Sequence, residues 1–163
     1  MEYRACSFTG HRQILPSHLD ELVSLLGRGI AYCYDLGCRD FFAGGALGFD
    51  TLAAEEVVRF RMLHSDVKLH LLLPCRDQTR GWRDADIKRY ERLLSLADTV
   101  TVLSEHYYDG CMQKRNRMLV DFCDVLLAYC TREKSGAAQT VGMAKRAGKK
   151  VYNLASGLSG FDI

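Results

Sequence analysis

The chain has 163 residues, 48% of them hydrophobic and 26% charged, with a formal net charge of +2 and a pI near 8.2. That length and apolar content fit one globular domain with a full core, expected over residues 1–163. A charge so near neutral excludes nucleic-acid binding driven by bulk electrostatics; such binding would need a local patch.

Short strand-like apolar runs alternate with longer helical ones along the chain. Arg4 to Thr9 reads as a strand ending in Thr9-Gly10-His11-Arg12. Ser17 is the expected cap of a helix whose apolar side carries Leu19, Leu22, Val23, Leu25, Leu26 and Ile30, and Gly37 ends it. Asp40 to Ala43 is the next strand, stopped by Gly44-Gly45, and a helix follows from Phe49 to His64. Val67 to Leu73 is a strand closed by Pro74, and a polar loop leads through Arg76, Arg80, Trp82 and Arg83 to a helix over Asp86 to Ala97. Thr99 to Leu103 is a strand. The basic cluster Lys114-Arg115-Asn116-Arg117 then opens a helix. A buried strand, Asp124 to Tyr129, leads to the small-residue turn Lys134-Ser135-Gly136-Ala137-Ala138, which opens another helix, and Val151 begins the last strand.

This alternation predicts an α/β architecture: a Rossmann-like three-layer sandwich with a mostly parallel sheet flanked by helices. The seven cysteines include no CxxC pair, and several lie in apolar runs, so they read as reduced core thiols. Five His and seven Cys lack the spacing of metal ligands, and no metal is expected. The N-terminal MEYRACSFTGHR has no apolar signal region. No apolar run approaches the roughly 18–20 residues of a membrane helix. A cytoplasmic protein with no membrane partner is expected.

Ligands of parallel sheets bind outside the C-terminal strand ends, and the polar and glycine-rich loops fall there. Thr9-Gly10-His11-Arg12 offers a sharp turn, a guanidinium for bidentate phosphate contact and a titratable imidazole, or else a plain surface loop. Gly44-Gly45-Ala46-Leu47-Gly48-Phe49-Asp50-Thr51 lets backbone approach an anion, or is a tight turn with Asp50 or Thr51 as cap. Arg115-Asn116-Arg117 in a first helical turn would oppose the macrodipole unless an anion compensates; the alternative is a solvated charged face. Ser135 reads as an N-cap beside space for a ligand, with Thr140 a further hydroxyl. Trp82 either stacks on a base or pins its loop to the core.

Taken together, Thr9-Gly10-His11-Arg12 after the first strand, the GGxxGxD turn Gly44–Asp50, Arg115-Asn116-Arg117 and Ser135-Gly136 resemble the Smf/DprA–LOG (SLOG) superfamily. Within it, the first two motifs resemble the YpsA-like bacterial branch. The resemblance implies a small nucleotide-derived ligand such as a nucleoside phosphate, ADP-ribose or a dinucleotide, with no certain cofactor. Gly44, Gly45, Gly48, Ser135 and Gly136 would then supply backbone donors, and Arg12, Arg115 and Lys134 would neutralise phosphate. Asp50 would accept from a sugar hydroxyl or amine, and Trp82 would cover a base. It implies a homodimer as well, and as a weaker alternative a single-stranded nucleic-acid partner. Glycosidases of the superfamily carry G-T-x-x-E; aligned on Gly136, the Thr falls at Ala137 and the Glu at Thr140. A neutral hydroxyl cannot stabilise an oxocarbenium-like centre as a carboxylate does. Binding is therefore expected over catalysis, with the catalytic residue unknown and a nucleotide N-glycosidase using a relocated carboxylate as the alternative.

Overall fold

Residues 3–158 are described by the computed structural model; the ends of the expected 1–163 domain lie outside the described residues. The elements are β1 (Ala5–Gly10), α1 (Leu19–Asp35), β2 (Asp40–Ala43), α2 (Phe49–Arg61), β3 (Lys68–Leu73), α3 (Asp84–Leu96), β4 (Thr99–Val102), α4 (Cys111–Phe122), β5 (Val125–Tyr129), α5 (Gly136–Arg146) and β6 (Lys150–Asn153). Short 3-10 turns occupy Pro16–His18 and Leu154–Gly157.

All six strands pair in parallel, in the order β4-β3-β2-β1-β5-β6. The chain builds outward from β1 to β4, then crosses back to β5 beside β1. The β1–β5 seam is therefore the switch point, with Gly10 in register with Tyr129 at its C-terminal end. Every residue of β5 is buried, the signature of a central strand covered on both faces.

Helices α1, α2 and α3 pack in succession on one face, and α4 packs against α5 on the other. Leu22, Leu26, Ile30 and Cys33 form the buried stripe of α1 at helical spacing. With Phe8, Phe41, Phe49 and Leu127 they belong to the main core cluster; Val120, Cys123, Leu126 and Ala144 form a smaller one under α4 and α5. Asp98 and Asp124 cap strand starts: Asp98 accepts from the Leu69 N–H at 2.8 Å, and Asp124 from those of Arg4 at 2.8 Å and Ala5 at 3.0 Å. Of the seven cysteines, all free, six are buried and Cys130 is half-buried. No helix among the described residues is long and apolar enough to cross a membrane.

Two boundaries differ from the sequence reading in ways that matter. Ser17 caps nothing: Pro16 starts a 3-10 turn that runs directly into α1, whose first flank is His18. The His18 ring turns inward, its Nδ1 2.9 Å from the Tyr129 hydroxyl. The basic cluster also does not open α4. Gly110, left-handed at φ 98°, starts that helix at Cys111, so Arg115 lies in its second turn. The macrodipole conflict expected there is correspondingly small, because the effect fades beyond the first turn.

Tyr129 holds the buried His18 at the switch point, so Tyr129→Phe leaves that ring without its partner. A loss of about 1–2 kcal/mol in urea-unfolding free energy is expected. Unchanged stability would show the contact to be energetically idle.

Candidate functional site

A cavity of about 450 Å³ opens at the C-terminal end of the β1–β5 seam. The loop after β1 supplies Thr9, Gly10, His11, Arg12 and Gln13; the turn after β2 supplies Ala46 and Asp50. Helix α4 supplies Met112, Arg115, Asn116 and Leu119, and the segment after β5 supplies Arg132, Ser135, Gly136 and Ala137. Among these lining residues Asp50 is the one carboxylate, against the guanidinium groups of Arg12, Arg115 and Arg132.

Arg115 forms the floor, only 5% exposed. Its Nη1 donates to the Gly44 carbonyl at 2.5 Å and its Nε to Asn116 Oδ1 at 2.8 Å. A buried charge is costly unless its donors are satisfied, and these bonds meet part of that demand. Asp50, also 5% exposed, accepts from the Ala46 N–H at 3.2 Å. Burial raises the Asp50 pKa, opposed by Arg115, the Ala46 N–H and Arg12. Burial likewise lowers that of Arg115, opposed in part by Asp50. Gly44 makes the arrangement possible: a Cβ there would stand 2.7 Å from Arg115 Cζ and 2.8 Å from Asp50 Oδ2.

The wall beside β5 is built on His11, 6% exposed. Its Nε2 accepts from the Thr131 N–H at 2.8 Å, and its Nδ1 lies 3.3 Å from Arg132 Nη2. Burial, then the Arg132 charge, lowers the His11 pKa below its ordinary 6.5, favouring the neutral ring.

Helix α5 aims its N-terminus at the same space. Ser135 is the N-cap, its Oγ accepting from the Ala138 N–H at 3.1 Å. The N–H groups of Gly136 and Ala137 precede the first intrahelical bond and belong to residues lining the cavity, which suits an anion. A Cβ on Gly136 would meet nothing within 4 Å, so this wall is open.

Of the expected site residues, Thr9, Gly10, His11, Arg12, Asp50, Arg115, Asn116, Ser135 and Gly136 come together here; the others stand elsewhere. Gly44, Gly45 and Gly48 are outside the lining and serve close packing. Gly45 has φ 72° with Leu73 behind it, and Gly48 has φ 78° with the Arg12 backbone behind it. Lys134 is exposed on the approach to α5. Thr140 is fully buried and donates to the Gly136 carbonyl at 3.0 Å, turned into its own helix. Trp82 is half-buried, edge-on to Tyr90 at 5.4 Å, and packs on the main core; it lines an adjoining cavity that shares Arg12 and Met112 with the first.

Arg132 was not singled out from sequence. It sits in Thr131-Arg132-Glu133-Lys134, where alternating charge reads as a solvated loop, and only its place after a strand end marks it. Ala46 and Ala137 lie inside motifs read from sequence, whereas Met112 and Leu119 carry no chemistry that sequence could flag, and Gln13 lies one residue past the expected loop. No cluster of three or more His, Cys, Asp or Glu suited to a metal occurs among the described residues.

The sequence model of the YspA SLOG family matches residues 17–156. A UPF0398 protein of Halalkalibacterium halodurans is 29% identical over 119 residues, covering 72% of this chain and 59% of that protein. One from Bacillus thuringiensis is 32% identical over 108 residues, covering 64% and 59%. The chain thus spans 59% of the length of these curated relatives. Among solved structures, DNA processing protein A (DprA) from Helicobacter pylori, studied for its single-stranded DNA binding mode, superposes with a TM-score of 0.64 at 19% identity. That match covers 91% of this chain and 63% of the other. DprA from Streptococcus pneumoniae gives 0.66 at 16% identity, covering 93% and 50%. At such identities the likeness is one of fold.

Gly44→Ala is expected to expel the Arg115 guanidinium and cost about 2 kcal/mol of stability. In a double-mutant cycle the cost should shrink when Arg115→Ala is already present; full additivity would contradict the coupling. The His11 linkage also has a sign. Because its folded pKa is lowered, its contribution is fully present above the unfolded value near 6.5 and is lost as pH falls through the folded value. The Thr131 amide resonance should therefore move with a midpoint below 6.5. A midpoint at or above it would refute the assignment.

Proposed function

The chain belongs to the YspA SLOG family, and we propose that it binds a nucleotide or nucleotide-derived ligand through phosphate in the switch-point cavity. One observation carries this reading: Arg12, Arg115, Arg132 and the first N–H groups of α5 converge on one open space with a single lining carboxylate. Phosphate is the common ligand group that satisfies several guanidinium and backbone donors at once. Asp50, beside it, is placed to accept from a sugar hydroxyl or an amine. The adjoining cavity of about 480 Å³, bordered by Trp82, Tyr107 and Gln78, is within reach of a ligand anchored near Arg12 and would receive its base. Nucleoside phosphates, ADP-ribose and dinucleotides are the ligand classes this fits. The cytoplasmic location expected from the sequence and the homodimer implied by the resemblance belong to the same proposal.

Asp50 supports a second reading, a nucleotide N-glycosidase with a relocated carboxylate. It is a buried cavity carboxylate whose pKa is raised, a common mark of an acid–base group. Outside the cavity, Glu55 pairs with Arg89, and Glu105 pairs with Arg76 at 3.0 Å. The likeness of fold to DprA supports a third, weak binding of single-stranded nucleic acid, which a steep salt dependence of oligonucleotide affinity would reveal.

Calorimetric titration with nucleoside mono- and diphosphates and ADP-ribose tests the leading reading. Binding is expected, weakened roughly tenfold or more in the exposed-rim variant Arg12→Ala. No heat with any nucleotide would overturn it. Release of free base from a nucleoside monophosphate, lost in Asp50→Asn, would place the glycosidase reading above it.

A further inference from the structure

His11 and Arg132 meet in a way that the folded chain alone leaves unresolved. The Thr131 N–H can only donate, so His11 Nε2, 2.8 Å away, is the unprotonated ring nitrogen. The ring proton of the neutral imidazole therefore sits on Nδ1. Nδ1 lies 3.3 Å from Arg132 Nη2, and a guanidinium nitrogen is also only a donor. Two donors thus face each other, and both side chains line the cavity. His11 is fixed, held by the Thr131 bond and set edge-on against Tyr129 with ring centroids 5.6 Å apart. Arg132 is exposed.

An anionic oxygen between them would turn this donor–donor contact into two hydrogen bonds, one of them charge-assisted. The charge of the cavity says which anion. Even with Asp50 ionised, Arg12, Arg115 and Arg132 leave an excess of two positive charges. A phosphate monoester above its second pKa of about 6 carries close to two negative charges, whereas a diester carries one.

We propose that His11 and Arg132 form a two-donor seat for a terminal phosphate, so that the cavity selects a phosphate monoester over a diester. This rests on the reading of the cavity as a phosphate site and adds two things: the kind of phosphate, and a residue, Arg132, that reads it. Among the ligand classes above, this favours a nucleotide with a free terminal phosphate over ADP-ribose and dinucleotides, whose phosphates are internal; an internal phosphodiester of a nucleic-acid strand does not fill the seat either.

The test uses phenyl phosphate as monoester and methyl phenyl phosphate as diester, titrated calorimetrically well above that second pKa. Neither carries a nucleobase, so the phosphate is read alone. The monoester is expected to bind the unaltered chain, and the diester to bind roughly tenfold or more weakly. Arg132→Gln, at an exposed position that leaves the core intact, should weaken the monoester by a similar factor and the diester little. Nitrogen-15 spectra of the His11 ring should place the proton on Nδ1 and show that resonance moving on addition of phenyl phosphate. Equal affinity for the two esters, an unaffected monoester in Arg132→Gln, or a proton on Nε2 would each overturn the proposal while leaving the phosphate site standing. Failure of both esters and inorganic phosphate to bind the unaltered chain would overturn the site and the seat together.

Discussion

A guanidinium held away from water is the constraint around which the site is arranged. Arg115 reaches from the second turn of α4 to the Gly44 carbonyl, under the switch point of the sheet. To lie there it needs a residue without a side chain at 44, an acceptor beside it in Asn116, and a negative group near enough to offset part of its desolvation. Asp50 is that group, held by the Ala46 N–H. Each requirement falls on a different element, so this one buried charge ties β2, α2 and α4 together. On the proposed reading, a positive charge with limited solvation is preorganised for an anion, since its reorganisation was completed when the chain folded.

Much of the fold is legible in the sequence because parallel sheets advertise themselves. The runs Val67 to Leu73 and Asp124 to Tyr129 read as strands and contain β3 and β5, and the loops that follow the inner strands gather at one edge. The strand β2 and the cap Ser135 stand where the residues said. The misplacements have local causes. Pro16 draws Ser17 into a 3-10 turn, and Gly110 in a left-handed conformation starts α4 early enough to carry Arg115 out of the first turn.

The site was legible by position more than by role. Gly44, Gly45 and Gly48 look like donors to a ligand, yet each answers to a neighbour: Arg115, Leu73 and the Arg12 backbone. A sequence shows that a side chain is missing, not which group fills the space. Thr140 drew notice in the sequence only through the resemblance, and its hydroxyl donates within its own helix. Arg132 was hidden for the opposite reason. A lone arginine among loop charges gains meaning only when the chain brings it across to His11, 121 residues away in sequence.

Inner and outer parts of the cavity play different physical parts. Arg115 and His11 are held by burial and hydrogen bonds, whereas Arg12 and Arg132 are exposed. The central claim is that these groups converge on an anion. Crystals grown with a nucleoside monophosphate test it most directly. Phosphate density is expected between Arg132, Arg12 and the Gly136 and Ala137 N–H groups, above the Arg115 guanidinium. An empty cavity in crystals that bind the nucleotide elsewhere would contradict it.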